Sequence, residues 1–131
     1  KNINMKKLGF IAMLFLAVFF TSCGGTGSDD IKIDKSQLVG KWMTNDSTYF
    51  EVYYTDGTGK EWDLKDDVQE EEASLFTWEF DEATDDKFIK YYEMEIGGIV
   101  PQYCKILELS ATNFRYNNDG LRATYNLIRA E

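Results

Sequence analysis

The chain has 131 residues, with 14 Lys and Arg against 23 Asp and Glu, no His, and a formal net charge of −9. This acidity argues against binding to nucleic acid or to anionic lipid headgroups, both of which reward positive charge. The lack of His removes the Ser-His-Asp and Cys-His arrangements and the commonest general base, so no catalytic residue is assigned.

In chain order, Met5-Lys6-Lys7 forms a basic start, and Leu8 to Phe20 follows without a charge. Such a stretch suits a signal-peptide core and falls short of the roughly 20 apolar residues a membrane span needs. It ends in Phe19-Phe20-Thr21-Ser22-Cys23-Gly24-Gly25. An apolar run leading through small residues to a cysteine resembles a bacterial lipobox, and its loose form is similar to those of Bacteroidota lipoproteins. The resemblance implies that residues 1–22 are a removed signal peptide and that Cys23 is lipidated, for example by palmitate. It further implies an outer-membrane location, on the periplasmic face or at the cell surface. Two or more acyl chains give stable anchoring, whereas one is marginal. Residues 23–36 then read as the lipidated cysteine and a flexible, Gly- and Asp-rich tether.

Without the signal, 11 basic residues would stand against 23 acidic ones, a net charge of −12. Cys104 would then be the only thiol, so no internal disulfide is expected. It lies in an apolar segment with no His to activate it, and reads as a buried, inert side chain.

Residues 37–131 form one domain large enough for a single core. Strands are expected near 38–45, 48–55, 60–65, 75–80, 87–96, 100–109, 112–117 and 121–129. Turns fall at Asp56-Gly57-Thr58-Gly59, Gly97-Gly98 and Asn117-Asn118-Asp119-Gly120, where Gly and Asn accept positive φ. The segment 66–74 is acidic and suits a short helix or loop. Phe76, Trp78 and Phe80 alternate with Thr77 and Glu79, and similar alternation runs through 49–54 and 121–127. Period-two alternation with one wet face marks antiparallel sheet. Eight short strands joined by tight turns predict an all-β, eight-stranded antiparallel up-and-down β-barrel, since closure removes exposed edges.

Leu38-Val39-Gly40-Lys41-Trp42 opens the first strand with Gly-x-Trp, and Tyr125-Asn126-Leu127-Ile128-Arg129 closes the last with Tyr-x-Leu-x-Arg. This pattern resembles the lipocalin superfamily, especially small lipocalin-like domains of Bacteroidota lipoproteins. The resemblance implies that Trp42 and Arg129 pack together and close the barrel floor. Phe50, Val52, Tyr54, Trp62, Phe76, Trp78 and Tyr125 are then the candidate lining for a small hydrophobic or amphipathic ligand. Each of them also suits an ordinary core position.

A second reading leaves the barrel filled and puts recognition on its outer face. There Tyr49, Tyr53 and Tyr91 would meet a protein or glycan partner. The acidic stretches Glu70-Glu71-Glu72 and 81–86 lack the spacing of a calcium loop, and no metal or cofactor is expected. Paired carboxylates can hydrolyse glycosides, but with 23 acids no pair stands out.

Overall fold

A computed structural model describes residues 33–130. The expected signal peptide of 1–22, Cys23 and most of the expected tether lie outside them. Among the described residues no helix is long and apolar enough to cross a membrane.

The eight expected strands are present as β1 (Gly40–Met43), β2 (Tyr49–Tyr53), β3 (Thr58–Asp63), β4 (Ser74–Phe80), β5 (Lys87–Glu93), β6 (Ile99–Leu109), β7 (Asn113–Asn118) and β8 (Ala123–Arg129). Each pairs antiparallel with the next, and β1 pairs with β8 through Trp42↔Arg129 and Met43↔Ile128, so the meander closes into a barrel. Closure removes both edge strands, as the alternating sequence requires. Residues 66–74 contribute a 3₁₀ turn at Glu70–Glu72, following another at Leu64–Asp66.

Several local readings change. Thr58 and Gly59 open β3 rather than lying in the turn. Asn117 and Asn118 lie inside β7 rather than in the turn, because Asn118 is buried and donates from Nδ2 to Gln102 Oε1 at 2.6 Å. The expected tether already joins the fold at Ile33, which bridges to Leu109, while Asp34 caps a 3₁₀ turn at Lys35–Gln37.

That turn lies across the end where β1 starts and β8 finishes. Trp42 is fully buried and donates from Nε1 to the Leu38 carbonyl at 2.9 Å. The Arg129 guanidinium sits 3.8 Å from the Trp42 ring centre and donates to the carbonyls of Gln37, Val39 and Ala111. Gly40 has φ +138°, and a Cβ there would collide with Arg129 Nη1. The glycine two residues before Trp42 is therefore required by the arginine that covers the tryptophan. Beyond this floor, the core stacks Phe114, Phe88, Tyr53, Phe76 and Tyr116, with Leu109, Ile106 and Leu127 filling between them. The loops 44–48, 64–73, 94–98 and 119–122 gather at the opposite end of the barrel.

Candidate functional site

Two features stand apart from ordinary packing: a charged cluster inside the barrel, and an apolar cleft in its wall.

The cluster is built by β2, β3, β5 and β7. Glu51 is fully buried. Its Oε1 accepts from the Tyr53 hydroxyl at 2.7 Å, and its Oε2 from Tyr49 at 2.7 Å and Tyr116 at 2.5 Å. Lys90, also buried, has its Nζ 3.8 Å from Glu51 and 2.6 Å from Glu61 Oε1. Tyr92 donates to that same Glu61 oxygen at 2.7 Å. The ammonium also lies 4.3 Å from the centre of the Phe76 ring. Burial alone would strip Lys90 of its proton, but the carboxylates of Glu51 and Glu61 outweigh burial and hold its pKa above the usual lysine value. Burial, reinforced by the Glu51 charge, pushes the Tyr53 and Tyr116 hydroxyls well above theirs. At neutral pH Lys90 is thus an ammonium and the phenols are neutral, donating to the oxygens of Glu51 and Glu61. The buried Lys90 and Glu51 charges face each other, and both Glu51 oxygens accept hydrogen bonds, as a low-dielectric interior demands. Nearby, burial pushes the Cys104 thiol up to about 12, which leaves it inert at neutral pH.

The cleft arises where two strands part. β3 and β4 stay paired out to Glu61↔Ser74, and β5 and β6 out to Glu93↔Ile99. The ladder between β4 and β5 stops at Thr77↔Tyr91. The resulting opening has a volume of about 540 Å³ and is lined by Tyr54, Lys60, Leu75, Thr77, Tyr91, Glu93 and Ile99, with Phe76 and Gly59 also on its wall. A side chain at 59 would collide with the Phe76 ring and the Val52 carbonyl, so glycine keeps β3 close to that ring. A broader, shallower depression adjoins the cleft through Tyr54 and Thr58.

The seven candidate lining residues divide between the two sides of the wall. Phe76, Trp78 and Tyr125 point inward, where Trp78 meets Tyr53 edge-on and Tyr125 stacks on Tyr116 at 5.0 Å. Phe50, Val52, Tyr54 and Trp62 belong to the outer face, which corrects their expected position. Phe50 and Trp62 stack there at 4.9 Å, with the Lys41 ammonium over both rings and that of Lys60 over Trp62. The lysine stems keep Trp62 and Val52 from water. Tyr54 is exposed and reaches the cleft. Tyr49 and Tyr53, expected outside, are the inward partners of Glu51, whereas Tyr91 does face outward and donates to Glu79 at 2.6 Å.

The cause lies in Tyr49-Phe50-Glu51-Val52-Tyr53-Tyr54, where both alternating sets carry aromatics. Reading the one carboxylate as the wet side puts Phe50 and Val52 in the core. The opposite holds because Lys90 is inside. The sequence carried a signal for Lys90 alone, which lies between Phe88 and Tyr92 on a single strand face. Compared with protein-family models, curated proteins and solved structures, the chain matches none.

Proposed function

We propose that this protein is a lipid-anchored envelope lipoprotein of the lipocalin-like kind. Its barrel acts as a binding module for a small hydrophobic or amphipathic ligand, and the ligand occupies the wall cleft between β4 and β5. The observation that carries this reading is the division of space. The barrel interior is taken up by the Glu51 cluster and the aromatic stack, while the cleft offers about 540 Å³ lined largely by apolar groups. That volume lies within the range of small-molecule sites, which pair apolar walls with a few polar groups. Lys60, Thr77 and Glu93 supply the polar groups, suited to the head of an amphipathic molecule whose body lies against Leu75, Phe76 and Ile99. Anchoring through Cys23 rests on the Phe19–Gly25 motif and on the apolar stretch before it.

The test is native mass spectrometry of the full chain purified gently from bacterial envelopes. A discrete added mass should appear, vanish on denaturation, and be absent from Thr77→Trp, whose indole fills the cleft. An added mass retained by that variant would move the ligand elsewhere. Incorporation of labelled palmitate should be lost in Cys23→Ser; label kept by the variant would end the anchor reading.

A further inference from the structure

The hairpin joining β5 to β6 reads Met94-Glu95-Ile96-Gly97-Gly98-Ile99-Val100. A turn facing water is ordinarily polar, yet Ile96 is 93% exposed, Ile99 62%, Met94 47% and Val100 40%. The turn closes on its own backbone, with the Met94 amide donating to the Gly98 carbonyl and the Gly97 amide to the Met94 carbonyl. Gly97 and Gly98 both take positive φ, and a Cβ at either position would meet nothing within 4 Å. The tip therefore stands clear of the barrel and takes its shape from its own backbone hydrogen bonds.

We infer that this hairpin is a membrane-inserting tip, burying Met94, Ile96, Ile99 and Val100 in the interfacial region of an uncharged, zwitterionic lipid bilayer. Three observations select lipid as the occupant. The tip projects as a point, which suits a soft phase better than the flat, close-packed core of a protein interface. It holds aliphatic side chains and none of the Trp, Tyr or Arg that anchor protein partners. Glu93 and Glu95 are exposed beside it, so an anionic surface would repel it, while their carboxylates can stay at headgroup level as the aliphatics enter.

Chain length allows the approach. Nine residues separate Cys23 from Ile33, and fully extended they span about 30 Å. A barrel tied by that cysteine can tip until the hairpin touches the same bilayer. This reach argument rests on the Cys23 reading above, whereas the exposed tip does not. Ile99 belongs to both the hairpin and the cleft, so insertion would bring the cleft to the lipid boundary.

The test uses the full chain as Cys23→Ser, with Cys104 buried and unreactive, and a polarity-sensitive fluorophore on Ile96→Cys or, as a control at the other end of the barrel, Asp85→Cys. On adding phosphatidylcholine–phosphatidylethanolamine vesicles, the label at 96 should shift to the blue, brighten severalfold and be quenched by chain-labelled lipid. The label at 85 should do none of these. Cosedimentation is measured in parallel, so that a vesicle-bound protein with a wet hairpin is recognised. A label at 96 that stays in water overturns the inference. So does one that responds equally to protein concentration without lipid, which would make a second copy the occupant. Loss of insertion would leave the mass-spectrometric test of the cleft, and the palmitate test of Cys23, standing on their own.

Discussion

The two faces of the β2–β3 ribbon invert the usual arrangement of a small barrel. Inward it carries Glu51 and Glu61, held by Lys90 and four tyrosine hydroxyls. Outward it carries a buried Trp62 stacked on a half-buried Phe50, with the Lys41 and Lys60 side chains over the indole. Polarity alone therefore does not decide which side of a strand is the core. A charge can be buried where a set of partners converges, and an indole can be dry on the outside where long side chains fold over it.

The contrast can be broken from either side. Lys90→Met removes the cation shared by the buried Glu51 and the partly exposed Glu61 and should cost about 3–5 kcal/mol, the range for an ion pair left half-made. Urea unfolding measures this, and a near-neutral result would mean that the carboxylates find water in its place. Trp62→Ala on the outer face should cost about 3 kcal/mol if that site behaves as a true core position. A loss below about 1 kcal/mol would make it surface decoration.

Tyr116→Phe deletes a single donor to Glu51 and should cost about 1.5–3 kcal/mol, as for hydrogen bonds to charged groups. Lys41→Ala, which strips one of the two cations from the outer stack and leaves Lys60 over Trp62, should cost about 0.5–1 kcal/mol in the same unfolding measurement.

The cluster also predicts an alkaline response. Lys90, Tyr53, Tyr116 and Cys104 all have pKa values raised in the folded state. The unfolded chain therefore releases protons first as pH rises. Stability from these groups is complete below their ordinary values and declines once pH passes about 9 for the thiol and about 10 for the phenols and the ammonium. Melting temperature should fall steeply between pH 9 and 11 (as assay settings, roughly the span of those ordinary values), and less so in Tyr116→Phe, which has one fewer such group. An equal slope in both would remove Tyr116 from the account.

Much of the barrel was legible because its signals are local. Gly97-Gly98 fixed a turn and Phe76-Thr77-Trp78 fixed an alternation, while the packing of Trp42 under Arg129 was implied only by the resemblance to lipocalins. The cleft was not legible, since it depends on the β4–β5 ladder ending at Thr77↔Tyr91 while both neighbouring ladders continue. Neither strand's own sequence records where its partner leaves it. Facing was legible on β4, where one alternating set is aromatic and the other polar, and misleading on β2, where both sets hold aromatics.

By itself, then, the sequence determined the strands and their up-and-down order, because backbone preference, turn chemistry and period-two alternation act over a few residues. Only the tertiary structure decided that Glu51 points inward and Trp62 outward. The free energy of a buried carboxylate depends on partners that come from β5 and β7, and only the closed barrel brings them to one point.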